Sequence, residues 1–399
     1  MPQIGKSFIK KVILKKLAIV VSHPIQYYSP VFENLALNCD LMVFYTLGKN
    51  GAGQFDHGFD KEITWDLPLL NGYNYTFIEN VATKPGHYFK GIVNPDLITA
   101  IKDFNPNAIL VYGWFYRSHL KVMRYFKGKV PIWFRGDSTL LDGSSRYKKL
   151  TRKLFLTWVY KHIDVAFFVG TENKKYFKAH GLKIDQLIFA PHAVDNERFG
   201  QNRLAEASAR RKNLGISDDD VLILFAGKFE EKKDPLILLN AFNKLNRSNT
   251  HLLFVGNGAL EDRLKTASKN QQSTNNRVHF IDFQNQNQMP VIYQACNLFC
   301  LPSKGPNETW GLAVNEAMAA GKAVLVSDKV GCSADLVFSG ENGYTFKNSD
   351  LKDLTAQLNE IANLQTLDLF GKKSKEIIQS WDFTTQVKIF IEKLNESIC

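Results

Sequence analysis

The sequence predicts an α/β protein of two doubly wound, parallel-sheet domains facing each other across a cleft. Three observations carry that prediction. A chain of 399 residues, 45% hydrophobic and 22% charged, is globular in composition and too long for one ordinary core. Short apolar runs alternate with segments of helical spacing along its length, the pattern of repeated strand–helix units. A polar, charged stretch over residues 200–220 interrupts that alternation near the middle and reads as a linker. The expected organisation is a first domain over residues 1–200, a second over 201–380 and a closing helical segment over 381–399.

The formal charge of +11 belongs wholly to the first half. Residues 1–200 carry 27 Lys and Arg against 16 Asp and Glu, and the remainder balances at 23 of each. A basic half suits an anionic membrane surface or a phosphorylated acceptor, or it serves solubility alone. No nucleic-acid-binding motif accompanies it, so nucleic acid is not an expected partner. The five cysteines (Cys39, Cys296, Cys300, Cys332 and Cys399) are scattered, which fits a reducing, cytoplasmic compartment. Residues 12–14 are too short for a signal-peptide core. Residues 154–169, the nearest approach to a membrane span, are broken by Lys161, His162 and Asp164.

Residues 17–22 (Leu-Ala-Ile-Val-Val-Ser) read as a buried strand, followed by His23-Pro24-Ile25-Gln26-Tyr27-Tyr28-Ser29-Pro30 and a helix over 31–37. Residues 41–45 are a second strand. The stretch 51–75, rich in Gly, Asp and aromatics, is long for a connection. It reads either as a loop whose aromatics face a sugar or as a loop with its own small core. Strands follow at 108–111 and 130–134, the second leading into Arg135-Gly136-Asp137-Ser138. Residues 146–161 form a basic, aromatic helix that either lies on an anionic membrane or solvates a charged face. A strand at 165–169, a helix at 173–180 and a strand at 187–190 lead to Pro191-His192-Ala193-Val194-Asp195-Asn196-Glu197-Arg198-Phe199.

The second domain opens with a strand at 221–226, then Gly227-Lys228-Phe229-Glu230-Glu231-Lys232-Lys233-Asp234-Pro235 and a helix over 236–245. A glycine turn and lysines between strand and helix make a clamp for a diphosphate, unless the lysines are plain surface charge. Strands at 252–255, 278–280 and 298–301 and a helix at 289–295 complete the approach to residues 307–321, Asn-Glu-Thr-Trp-Gly-Leu-Ala-Val-Asn-Glu-Ala-Met-Ala-Ala-Gly. Here a loop enters a helix near Gly311 or Leu312, Gly321 stops it, and residues 323–327 form the next strand. In a parallel sheet this puts the loop and helix start at the carboxyl edge, where ligands bind. N–H groups around residues 310–313 would seat a phosphate, and a carboxylate beyond them can hold a ribose. The plainer alternative makes Glu308 a charge favouring the helix dipole and Glu316 a solvated surface acid.

Glu308-x7-Glu316, followed by Ala317-Met318-Ala319-Ala320-Gly321-Lys322-Ala323-Val324, resembles the donor-site signature of retaining glycosyltransferases of family 4, group 1 glycosyl transferases with the GT-B fold. Residues 191–199 resemble that family's interdomain turn, and Gly256-Asn257-Gly258 its Val-Gly-x-Gly turn. The likeness is specific over residues 190–346. The His-Pro-Ile-Gln-Tyr loop resembles a bacterial subgroup.

The resemblance implies a nucleotide-diphospho-sugar donor on the second domain. Its site would draw on Gly227, Lys228, Lys233, Gly256, Gly258, Trp310, Gly311 and Leu312, with Glu316 on the ribose and Glu308 on the sugar hydroxyls. Lys228 replaces a family Arg and loses its bidentate fork. His23, Gln26 and Arg135 would face the cleft, although His23 can equally pack in a turn shaped by Pro24 and Pro30. Where the family carries a cleft His, Gly136 or Asp137 stands, and Asp137 fills part of that catalytic role. No cofactor or metal is expected. The acceptor would be a glycan or lipid-linked molecule in bacterial surface polysaccharide synthesis, capsule or lipopolysaccharide, at the inner face of the membrane. The final helix would cross back to the first domain. Two other readings remain: a GT-B relative that epimerises or cleaves a nucleotide-sugar, and a non-catalytic binding subunit.

Overall fold

The computed structural model describes residues 14–49, 66–143, 145–245, 247–270 and 275–396, with the backbone of 55–56 and 61–62. The aromatic side chains Phe55, Phe59 and Trp65, which the sugar-facing reading invoked, lie outside the described residues.

The first domain holds β1 (Lys16–Val21), β2 (Asp40–Tyr45), β3 (Phe55–Asp56), β4 (Lys61–Glu62), β5 (Asn74–Phe77), β6 (Ala108–Tyr112), β7 (Ile132–Arg135), β8 (Val165–Phe168) and β9 (Leu187–Phe189). Seven of these form one parallel sheet in the order β5-β2-β1-β6-β7-β8-β9, and β3 pairs with β4 separately. The second domain holds β10 (Val221–Ala226), β11 (Thr250–Val255), β12 (Val278–Ile281), β13 (Leu298–Leu301), β14 (Ala323–Ser327) and β15 (Gly343–Phe346). These form a parallel sheet in the order β12-β11-β10-β13-β14-β15. Helices cover both faces of each sheet, so the central strands read as unbroken apolar runs.

In each sheet the strand order reverses at the first strand. β1 lies between β2 and β6, and β10 lies between β11 and β13. Loops leaving the carboxyl ends of β1, β10 and β13 therefore splay apart at the point where a doubly wound fold opens a crevice. Those loops are residues 22–28, 227–234 and 302–311.

Two parts of the chain join the domains. The first leaves β9 through residues 190–203. The second returns near residues 379–382 and feeds the helix Phe383–Glu396, whose Val387, Phe390 and Leu394 sink into the first domain's core. Phe390 meets Phe167 edge-on at 4.6 Å, and Lys15 donates to the Leu394 and Asn395 carbonyls. The two crossings touch. Val194 bridges Asp382, and the Asn196 amide donates to Ile378 O at 2.9 Å.

The stretch 200–220 differs from the plain linker that its polarity predicts. It contains the helix Leu204–Asn213, fixed by one buried guanidinium. Arg211 donates to the carbonyls of Ala295, Ser217 and Asp220 and to Asn297 Oδ1. A buried charge spread over four acceptors is satisfied, and it ties the helix to the amino edge of the second sheet.

Candidate active site

The loops after β1 and β10, the exits of β11 and β12 and the helix that follows the β13 loop surround a cavity of about 350 Å³ between the domains. The first domain supplies Gln26 and Tyr27. The second supplies Gly227, Lys228, Lys232, Lys233 and Gly256, the first-turn residues Leu312 and Ala313, and Glu316. The local geometry of this wall follows from its glycines. Gly256 has φ +131°, and a Cβ there would lie 2.2 Å from Gly227 O, so the β10 and β11 exits approach too closely for a side chain. Gly311, at φ +94°, starts the helix Leu312–Ala319 with a Cβ position 2.7 Å from Val330. Leu312 and Ala313 lack a carbonyl one turn back, so their N–H groups open the positive end of the helix toward the cavity wall that they line.

Glu316 is not a surface acid. It is 4% exposed, its Oε1 accepts from Tyr27 at 2.9 Å and its Oε2 from Tyr293 at 2.8 Å. Burial raises its pKa against the pull of those two hydroxyls and the charge of Arg198. Tyr27 belongs to the first domain, so this carboxylate also joins the domains.

Glu308 is 8% exposed. Its Oε2 pairs with the Lys233 ammonium at 2.5 Å and accepts from Ser303 Oγ at 2.8 Å. Burial pushes its pKa upward, but the Lys233 charge and hydrogen bond, with help from Ser303 and Lys232, hold it below the usual carboxylate value. It is therefore an anion at neutral pH. Its neighbour Thr309 donates to Asp137 Oδ2 at 2.7 Å, across the domain boundary.

On the far side of that contact lies a second cavity, of about 840 Å³, that the sequence did not reveal. Asp137, Pro306 and Asn307 border it, Trp114, Phe155 and Tyr176 line it, and Lys148 and Arg152 add positive charge. Glu308 itself lines neither chamber and is buried between them. Its ion-pair partner Lys233 lines the smaller, and its chain neighbour Asn307 lines the larger.

The other expected residues are placed differently. Trp310 lines neither cavity. It is 3% exposed, stacks on Trp381 at 5.3 Å and donates to Asn315 Oδ1, so it is a core wedge between domains. Arg135 does not reach the cleft either, because its buried guanidinium donates to the Ala190 and Pro191 carbonyls and pins the first crossing. Gly258 is a packing glycine, with a Cβ position 2.9 Å from Phe229 O. His23 lines neither cavity. It lies 2.9 Å from Ser22 Oγ and packs edge-on against His87, and burial and that neighbour lower its pKa to about 4. One Asp-x-Asp pattern, Asp218-Asp219-Asp220, precedes β10 at the amino end of the sheet, opposite the cavities. There Asp220 accepts from Ser217 N.

Tyr27, Tyr293 and Thr309 escaped the sequence reading because tyrosine and threonine in such loops carry no spacing signal. Tyr27 at least lies within the His-Pro-Ile-Gln-Tyr run.

Residues 206–379 match the family model described as Glycosyl transferases group 1. Over 251 residues the chain is 27% identical to the lipopolysaccharide 1,2-N-acetylglucosaminetransferase of Salmonella typhimurium, covering 58% of this chain and 64% of that one. It is 29% identical over 187 residues to the D-inositol 3-phosphate glycosyltransferase of Stackebrandtia nassauensis, covering 44% and 41%. The chain therefore spans less than two thirds of the length of these curated relatives. Among solved structures, Anabaena Alr3699/HepE in complex with UDP superposes with a TM-score of 0.71 at 17% identity, over 96% of this chain and 100% of that one. Sucrose-phosphate synthase from Thermosynechococcus elongatus superposes at 0.70 and 18%, over 96% and 98%. The fold is GT-B.

Proposed function

We propose that this GT-B chain is a retaining, metal-independent glycosyltransferase, moving a hexosyl group from a nucleotide-diphospho-sugar to a glycan or lipid-linked acceptor. The observation that carries the reading is Glu308, an anion held between two chambers of unequal size and different chemistry. The smaller chamber suits the donor. Its lysines and the N–H groups of Leu312 and Ala313 offer compensation to a diphosphate, and Glu316 lies at its floor for the ribose hydroxyls. Each Glu316 oxygen keeps a lone pair after accepting from a tyrosine, so a ribose can share it.

In this scheme the bond from the sugar's anomeric carbon to the diphosphate breaks as the acceptor hydroxyl's oxygen bonds to that carbon from the same face, and the hydroxyl's proton passes to the departing diphosphate oxygen. Lys228 and Lys233 stabilise the charge that develops on the departing diphosphate. Glu308 receives sugar hydroxyls, and its charge favours a cationic sugar centre in the transition state. Asp137, facing Thr309 from the first domain, borders the path of the acceptor. Retention rests on the family resemblance. The name of the Salmonella relative supports a role in lipopolysaccharide synthesis, capsule or another bacterial surface polysaccharide being the wider reading, and we place the reaction at the cytoplasmic face of the membrane.

The test is calorimetric binding of UDP, GDP and ADP to wild type, Glu316→Gln and Lys233→Ala. One nucleotide should bind wild type and bind both variants at least about tenfold more weakly. Equal binding by all three proteins would remove the donor-site assignment.

A further inference from the structure

The helix Arg146–Tyr160 has two apolar faces, and among the described residues only one is covered. Leu156, Val159 and Tyr160 pack inward on the sheet. On the opposite side Tyr147, Leu150, Leu154 and Trp158 recur at three- and four-residue intervals, which makes a single stripe. That stripe stands in solvent: Tyr147 is 77% exposed, Leu150 56%, Leu154 66% and Trp158 39%. An ordinary surface helix turns its charged face outward, and this one does not. Its charges flank the stripe instead. Lys148 and Arg152 lie on the side that lines the larger cavity, and Arg146, Lys149 and Lys153 on the other. The helix contains five cations and no acid. The neighbouring helix Arg117–Phe126 extends the pattern, with Arg124 over the Trp158 ring and Lys129 just beyond it over the exposed Tyr125 ring.

We infer that this face seats the protein on an anionic lipid bilayer, the stripe entering the headgroup boundary while the flanking cations meet lipid phosphates. Long basic side chains suit that position because their stems lie along apolar surface and their heads reach outward. A second copy of the chain is the poorer occupant, since a two-fold pairing of this stripe would oppose five cations to five. The inference deepens the proposed function, on which it rests only for its purpose. The flank formed by Lys148 and Arg152 is also a wall of the larger cavity, so an acceptor anchored in the bilayer would enter beside the helix and reach Glu308 without leaving the membrane surface.

The experiment is flotation of the full chain with vesicles of phosphatidylcholine alone or mixed with phosphatidylglycerol, at low and high salt. Leu150→Glu/Leu154→Glu and Lys149→Glu/Lys153→Glu accompany wild type. All of these positions are exposed, and circular dichroism verifies that the variants fold. Wild type should float with the anionic vesicles, less with neutral ones, and less at high salt. Each double variant should lower the bound fraction about tenfold. Equal binding to neutral vesicles, no binding, or variants that bind like wild type would overturn the inference. So would a wild-type dimer that the leucine variant dissolves, because a second copy would then cover the stripe. Nucleotide binding is scored separately. Vesicle binding without any nucleotide binding would sink the transferase reading and leave this one standing.

Discussion

Replacing Lys233 with Met should destabilise the second domain by about 3 kcal/mol at pH 7, and by clearly less at pH 5. The magnitude follows from what is left behind. Glu308 is 8% exposed and lies 2.5 Å from the lysine, so removing the cation strands a buried carboxylate with Ser303 as its remaining donor. Breaking a buried pair from one side costs about 3–5 kcal/mol. We take the low end because Ser303 remains. In wild type the Glu308 pKa is lowered, so the pair stabilises above the unfolded value and that stability is lost as pH falls through the folded one. In the variant burial, the largest influence, is opposed only by Ser303 and Lys232 and raises the pKa, so the penalty is greatest at high pH and relaxes as the carboxyl takes up a proton. Urea unfolding followed by tryptophan fluorescence at pH 7 and pH 5 would measure both, with Glu308→Gln and the double variant completing a cycle. Additive losses in the cycle, or a penalty independent of pH, would refute the reasoning.

Three further outcomes are expected. Gly256→Ala should cost about 3 kcal/mol and abolish nucleotide binding, because its Cβ meets the Gly227 backbone oxygen at 2.2 Å in a positive-φ conformation; thermal melts with and without nucleotide check this. Tyr293→Phe should cost about 2 kcal/mol by leaving Glu316 Oε2 without its donor, whereas Tyr27→Phe should chiefly loosen domain closure, visible as a larger radius in small-angle scattering. Stability should fall from pH 6.5 toward pH 5. Burial lowers the pKa of His119 to about 4 and, with Arg135, that of His192 to about 3. The unfolded chain therefore binds protons first, and each histidine costs about 2 kcal/mol by pH 5. A flat melting temperature across that range would contradict it.

Central strands and their order of appearance are legible in the sequence because burial on both faces leaves no polar residue to blur them. Val221–Ala226, Leu298–Leu301 and Ala323–Ser327 lie where the apolar runs predict. The glycine turn after β10 and the helix start at Leu312 are legible too, each being one continuous segment. What composition conceals is burial set by distant partners. Arg135 reads as a cleft residue and Arg211 as part of a polar linker, yet both are buried on backbone carbonyls, those of Arg135 lying 55 and 56 residues away. Trp310 reads as a ligand-facing aromatic and is a wedge, because Trp381 arrives from the returning chain. The partnership of Tyr27, Tyr293 and Glu316 joins three separate segments, and no spacing rule spans them.

The double crossing between domains limits how they can move. A single tether would let one domain swing in any direction. Two crossings joined side by side, Val194 to Asp382 and Asn196 to Ile378, form a narrow pin, and Arg135 fastens its first-domain end. Rotation about that pin is the cheap motion. Opening would then part Tyr27 from Glu316 and Thr309 from Asp137 together, so the floor of the small chamber and the border of the large one would open as a single door.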